Sequence, residues 1–593
     1  MFYHLGGSAK KSTSLETLVI QNITNVNDLK TKLSDIIEKG KDYDFDVSSC
    51  LKSLLKNSDH EIMLLTVQAI SELAKCEEKR DTYAHEDIIK PLINILQKDL
   101  TSETIELIKQ SCRALGNLCC DCDTARKIIL DNKGVETLVS LLEKSLPNRS
   151  AEEIKMFTIK ILSNYAIGGQ EFSESIVQGG LMPLLHKILT IELEKEDMND
   201  NMVSTTLSIL NVVNENTLEF LFEPEVNIAV LNILKETANL EISELCLDHL
   251  LAQAEHEEVK TLLAKENGVQ LVCGRLEQLV QCQEAGDLRA EDSEVEAVVK
   301  QACDLIVIVL TGEEAVHLLY NRGNGEVYIT MVKWLDSNNH HLLTTAVLAI
   351  ANFARQDDYC IQMMEENIFD KLLDVFETHH AQAAAAVQHA ALAALRNLLM
   401  PAANKRRAGA RGRAAPLLLR ALPAVEQQHV AYKLLAALRM LVDGQVGRMY
   451  YFICQVEGCL YSLINMLIVC HTVMQNEGVL ALTLLAIESL KPQDSEFDYE
   501  KSFITQLVNS EIGKHISVLV ETNCAKMPVE VAENLLAFLD ITSKKNELAK
   551  DYKEAKVPES LQKFMDSRKD LSDDLKSCIV AVIATISDNG KEK

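Results

Sequence analysis

Apolar and polar positions alternate along this chain with the three- to four-residue spacing of amphipathic helices, and one short pattern keeps returning. Cys112-Arg113-Ala114-Leu115-Gly116-Asn117-Leu118 is matched by Thr158-Ile159-Lys160-Ile161-Leu162-Ser163-Asn164-Tyr165. It returns in Leu348-Ala349-Ile350-Ala351-Asn352-Phe353-Ala354 and in Leu392-Ala393-Ala394-Leu395-Arg396-Asn397-Leu398. Each copy reads as a helix that ends in the same polar residue. With that Asn as anchor, weaker copies fall at Glu72, Val212, Gln253, Ile308, Met440 and Leu484, so neighbouring anchors are 41 to 55 residues apart. Stacked helical repeats of the armadillo and HEAT kind have about this period. The fold expected is therefore all-α, an armadillo-repeat right-handed superhelical solenoid. After each anchor a short polar connection, often with Gly, leads into another apolar helix, as at Gly134-Val135-Glu136-Thr137-Leu138 and Gly179-Gly180-Leu181-Met182-Pro183. Gly is expected there as a left-handed cap. Pro183 is tolerable because it lies in the first turn of the next helix.

In such a stack each repeat buries its apolar faces against its neighbours, and the last helix of each repeat lines the inner surface. A recurrent Asn on that helix is expected to face the groove, where its amide can pin the backbone of a guest. The alternative is that it only stabilises its own helix end. Val212 and Met440 replace the Asn, so two rungs are expected to be apolar.

Length and composition agree with an array. At 593 residues the chain is too long for one compact core, and 23 Gly and 10 Pro are too few for many loops and strands. The expected organisation is a mobile segment over 1–30, armadillo repeats over 31–443 with an acidic middle third, divergent repeats over 444–587, and a mobile tail over 588–593.

Charge adds a direction. Residues 191–325 hold 27 Asp and Glu against 8 Lys and Arg, whereas 401–448 hold 9 Lys and Arg against two acids. An acidic field repels nucleic acid and anionic lipid and speeds the approach of basic partners. A basic protein segment is the expected guest. The run Lys405-Arg406-Arg407…Arg411-Gly412-Arg413 is expected to be a solvated basic loop between repeats, with a nuclear-import or anionic-surface patch as the other reading.

The 16 Cys have no framework spacing and several lie inside apolar runs, the usage of a reducing compartment. The N-terminus lacks a signal pattern, and Gly458–Cys470, the longest apolar stretch, is too short to span a bilayer. A cytosolic protein without a membrane span is expected.

Trp334-Leu335-Asp336-Ser337-Asn338-Asn339-His340, Ala349-Ile350-Ala351-Asn352-Phe353-Ala354-Arg355 and Val387-Gln388-His389-Ala390-Ala391-Leu392 make the likeness specific. With Arg113–Leu118, Lys433–Leu441 and Met474–Glu477, they resemble the small-GTPase GDP-dissociation stimulators of the SmgGDS type. The likeness is close over 330–443, looser over 105–185 and 240–330, and poor at the ends. It implies a cytosolic, monomeric armadillo chaperone and atypical guanine nucleotide exchange factor. Its partners would be Rho-, Rap- and Ras-like GTPases with basic, often prenylated tails. It also implies a GTPase-binding groove at Asn352, Arg355, Arg396 and Asn397, with Asn117 and Asn164 on earlier rungs. An acidic patch for the basic tail is implied at Glu244 and Asp248, continuing through Glu255, Glu257 and Glu258. Glu244 and Asp248, four apart, share one helix face, where two like charges favour a cation. After Asp443 the chain passes to Met474-Gln475-Asn476-Glu477 with about one repeat fewer than the family pattern suggests.

Bond-making chemistry is not expected. Cys119-Cys120-Asp121-Cys122 lacks a second ligand pair nearby for zinc and reads as core thiols. His340-His341 and His379-His380 are adjacent rather than one turn apart and read as helix-boundary residues. Gly6-Gly7-Ser8-Ala9-Lys10-Lys11-Ser12 lacks the Gly before Lys-Ser that a phosphate loop needs. No metal, cofactor or catalytic group is assigned. Two rivals remain: a nuclear-import-type adaptor, which needs repeated Trp where this chain has one, Trp334, and a catenin-like scaffold, which needs a basic groove.

Overall fold

Asp59, Asn199, Asn239 and Asn339 each stand just ahead of a helix and turn a side-chain oxygen onto its first free N–H groups. Asp59 accepts from Glu61 and Ile62 at 2.9 and 3.1 Å, and Asn339 from His341 and Leu342 at 3.0 and 3.2 Å. Asn199 takes the Met202 N–H and Asn239 that of Glu241. These caps start the last helix of four repeats. Asn339→Ala should cost about 1 kcal/mol of stability, read as a lower thermal midpoint; an unchanged midpoint would show the cap to be idle.

The computed structural model describes residues 15–20, 26–217, 219–286, 291–379, 385–422, 425, 427–444, 459–469, 471–490, 498–524, 526–568 and 570–589. Among them every element is helical. The last helices of successive repeats are α1 (Val26–Lys39), α2 (His60–Leu73), α3 (Ile105–Cys119), α4 (Glu152–Ala166), α5 (Asp200–Asn216) and α6 (Leu240–Gln253). After Asp292–Val309, which closes the repeat anchored at Ile308, they continue as α7 (His340–Phe353), α8 (Ala385–Leu398), α9 (Gln428–Gly444), α10 (Thr472–Ser489), α11 (Val529–Thr542) and α12 (Asp573–Asn589).

Two compact units are formed, Met1–Leu271 with Gln281–Ile308, and Val272–Val280 with Val309–Lys593. In the first, α1 to α6 pack each on the next; in the second, α7 to α12 do the same. The register comes from apolar spacing: in α3 Leu107, Ile108, Cys112, Leu115, Leu118 and Cys119 are wholly buried. Burying each of the larger ones contributes about 1.5–3 kcal/mol.

Most repeats have three helices, such as Asp123–Asp131, Gly134–Ser145 and α4. The repeat closed by α6 has two, Pro224–Glu236 and α6 itself. That missing first helix explains the short 41-residue spacing between Val212 and Gln253.

Several expectations change. Gly134 is not a left-handed cap: Lys133 takes that conformation, at φ 55°, and Gly134 opens the helix. Gly is needed there because a Cβ would come within 2.6 Å of the Ile129 side chain and 2.8 Å of its carbonyl. Gly180, at φ 81°, does serve as a left-handed turn, and Pro183 sits in the first turn of Met182–Leu193. The basic run is a helix, Ala402–Arg411, capped by Gly412 at φ 70°. Ala, Lys and Arg are good helix formers, and carboxylates of the preceding repeat neutralise the run. Arg407 meets Glu365 at 2.9 Å, Arg411 meets Asp370, and Arg413 meets Asp374 and Glu377.

Within the segment expected to be mobile over 1–30, the described helix α1 already buries Leu29; residues 1–14, 21–25 and 590–593 lie outside the described residues, as does the phosphate-loop-like run. α9 packs directly on α10, so they are adjacent rungs, with 445–458 outside the described residues. No helix among the described residues is long and apolar enough to cross a membrane.

Candidate protein-binding faces

The anchor asparagines share one bond. Asn117 Nδ2 donates to the Ser71 carbonyl at 2.9 Å, Asn164 Nδ2 to that of Gly116 at 3.0 Å, and Asn397 Nδ2 to that of Ala351 at 3.0 Å. In every case the acceptor is the residue just before the preceding repeat's anchor. Each amide therefore ties one helix end to the next and satisfies a carbonyl left over in the last turn. All three side chains are half-buried.

Where the anchor fails, neighbours make the tie. Beside Val212, Asn211 Nδ2 donates forward to the Leu245 carbonyl at 3.0 Å, and Asn216 Nδ2 donates back to that of Ala166 at 3.0 Å. Beside Met440, Arg439 forms an ion pair with Glu477 of α10. Those rungs are polar after all, which the apolar anchors alone do not reveal.

At α7 and α8 the amide oxygens face guanidinium groups. Asn352 Oδ1 accepts from Arg355 Nη2 at 2.6 Å, while Arg355 Nη1 holds the Thr311 carbonyl at 2.9 Å. Asn397 Oδ1 accepts from Arg396 Nη1 at 3.4 Å. The charge presented outward by these two rungs is thus cationic. Lys433 of α9, absent from the sequence-level assignment, joins them: it is half-buried, and its ammonium is held below the usual lysine range by burial and by the Arg396 charge.

The acidic face lies on α6. Glu244 is half-buried and Asp248 exposed, on one side of the helix. Glu215, near the end of α5, completes a triad that sequence spacing missed because it comes from another repeat. The Asp248 carboxyl is raised above its ordinary range by partial desolvation, then by Glu244 and Glu215. It accepts a hydrogen bond from Gln301, and among the described residues no ion pair is made by Glu215, Glu244 or Asp248. Glu255, Glu257 and Glu258 follow, all exposed; Glu257 is paired with Lys260 at 2.7 Å.

Beneath this face a buried network orients α6. The Phe222 N–H donates to Gln253 Oε1 at 3.0 Å, which fixes the amide so that Gln253 Nε2 donates to Asn214 Oδ1 at 2.9 Å and to the Phe220 carbonyl at 2.8 Å. Asn214 Nδ2 must then donate to His249 Nδ1 at 3.1 Å, leaving the proton on Nε2 to donate to Asn227 Oδ1 at 3.0 Å. Burial pushes the imidazole down to about 3, so it stays neutral.

Trp334 is core: it is 2% exposed, and its Nε1–H donates to Glu277 Oε1 at 2.6 Å. It is not a groove clamp for lysine stems. Cys112 and Cys119 are buried, and burial pushes both thiols up to about 12. His340 and His341 open α7, as helix-boundary residues.

Known proteins give this arrangement a context. The chain is 29% identical to the GTPase-GDP dissociation stimulator vimar of Drosophila melanogaster, over 87% of this chain and 92% of that protein. It is 28% identical to the Rap1 GTPase-GDP dissociation stimulators 1-B and 1-A of Xenopus laevis, over 82% of this chain and 86% of each. The resemblance first carried by short motifs thus extends over most of the chain. A family model for the H subunit of the V-ATPase matches residues 8–156. Among solved structures, an engineered protein superposes with a TM-score of 0.53 at 21% identity, covering 74% of this chain and 99% of its own. A chain from a study of the cadherin–β-catenin interaction superposes with a TM-score of 0.51 at 13% identity, covering 91% of this chain and all of its own. These likenesses concern fold alone. The chain is an all-α armadillo-repeat solenoid.

Proposed function

We propose that this chain binds small GTPases of the Rho, Rap and Ras kind, promotes their release of GDP, and chaperones those whose tails are basic and often prenylated. The observation that supports this most is the similarity, over 82 to 87% of the chain, to proteins named GTPase-GDP dissociation stimulators. The α5–α6 face supports a cationic guest: among the described residues its three carboxylates form no ion pair, and a Lys or Arg side chain would relieve their repulsion. Glu255, Glu257 and Glu258 extend that face for the tail. Asn352, Arg355, Arg396 and Asn397 offer a second surface, for the GTPase body, and Asn117 and Asn164 hold the earlier rungs in place.

Nucleotide release in this scheme needs no bond chemistry. A partner that binds the distorted or nucleotide-free GTPase more tightly than the GDP-bound form shifts the equilibrium by that difference. The chain acts as a monomer in the cytosol, reaching membranes only through its partners.

The test is to mix the purified chain with small GTPases loaded with a fluorescent GDP analogue, with tails basic, prenylated or deleted. Faster release and a stable complex are expected for the basic-tailed form. Unchanged release together with no complex for every GTPase would sink the proposal.

A further inference from the structure

Three last helices of the second unit, α7 to α9, are poor in the acidic residues that crowd α6. α7 and α8 contain neither Asp nor Glu, and α9 contains none before Asp443. Their Lys and Arg groups are Arg396 on α8 and Lys433 and Arg439 on α9, with Arg355 just after α7, and the histidines are His340 and His341 on α7, His389 on α8 and His429 on α9. Of these Lys and Arg groups, only Arg439 has a carboxylate partner among the described residues, Glu477.

Geometry gathers these groups. His389 and Arg396, seven apart, share a face of α8, and His429 and Lys433, four apart, share a face of α9. The two helices pack on each other, the rings of His389 and His429 lie 5.3 Å apart, and Lys433 Nζ stands 5.6 Å from the Tyr432 ring. His389 is itself held below the usual histidine range by burial, then by Lys433 and His429. Crowding like charges without a counter-ion works against folding. Leu392 and Leu395 on α8 and Leu434 and Leu438 on α9 are buried, whereas Arg396 and Lys433 stay partly exposed.

We infer that the strip formed by Arg396 and Lys433, flanked by Arg355, docks a carboxylate-bearing face of the GTPase body. This rests on the function proposed above and adds to it a division of labour: the α5–α6 face takes the partner's cations, the α8–α9 strip its anions. Guanidinium forks suit carboxylates because two parallel N–H groups can meet both oxygens. Opposed charge also speeds encounter and sets orientation.

The test uses the full chain and a small GTPase whose basic tail has been deleted, titrated at low and at physiological salt, beside the isolated tail peptide. The double variant Arg396→Glu, Lys433→Glu should bind the tail-less domain at least about tenfold more weakly and the tail peptide as the parent does. Lys433→Gln alone removes one member of a repelling pair. It should melt at the same temperature or higher while binding about threefold more weakly, which separates docking from folding. Tail-less domain bound by the double variant as tightly as by the parent overturns the inference and leaves the function standing. A parent chain that binds no GTPase, with or without its tail, overturns both.

Discussion

Replacing Glu215, Glu244 and Asp248 by Gln, Gln and Asn should weaken binding of a basic-tailed small GTPase by about ten- to a hundredfold at low salt. Much of the salt dependence should go with it. Asp248 is the reporter: its carboxyl is raised by partial desolvation and by the two neighbouring glutamates. A carboxyl whose pKa rises on folding works against the folded state at neutral pH and ceases to do so as pH falls through the raised value. The triple variant should therefore be at least as stable as the parent, so a loss of binding cannot be blamed on unfolding. Binding by the parent should also fade as pH drops into the raised carboxylate range, because protonation neutralises the patch. Isothermal titration at two ionic strengths reads both effects; equal affinity for the triple variant at low salt would remove the acidic face from the site.

Acidification should cost the first unit roughly 2 kcal/mol between pH 7 and pH 5 through His249 alone. The folded imidazole stays neutral until about pH 3, whereas in the unfolded chain it takes a proton near its ordinary value of 6.5. Stability from this group is complete above pH 6.5 and is lost progressively as pH falls towards 3. The cause is structural: the ring is wholly buried against Phe222, at 5.0 Å between ring centroids, and both nitrogens are committed to Asn214 and Asn227. His249→Gln should be less stable than the parent at pH 7, with that gap shrinking by roughly 2 kcal/mol at pH 5. Urea unfolding followed by circular dichroism at the two pH values gives the comparison. Parallel pH dependences would mean that the buried ring does not control the acid limb.

Some of this was legible in residue spacing and some was not. Asn117, Asn164 and Asn397 announce themselves by period, and a helix ending in Asn needs no partner to be recognised. What the amide bonds to could not be read, because the acceptor lies 46 to 48 residues away and is a backbone carbonyl, which every residue has. The resemblance pointed to Glu244 and Asp248, and their spacing put them on one face. Glu215 was missed because its membership depends on how α5 packs beside α6. The run Lys405–Arg413 read as a solvated loop because the carboxylates that pair with it, Glu365, Asp370, Asp374 and Glu377, belong to the preceding repeat.

By itself the sequence determined the all-α fold, the repeat and the segregation of charge, since each depends on residues near one another along the chain. A helix's apolar stripe and its cap are local, and stacking follows from the need to bury that stripe. Only the tertiary structure decided that the anchor amides lock neighbouring repeats together, that the failed rungs at Val212 and Met440 are polar, that Trp334 is core, and that Arg396 and Lys433 stand together. These depend on which residue of one repeat meets which of the next, a matter of helix rotation and offset that a period of 41 to 55 residues leaves open.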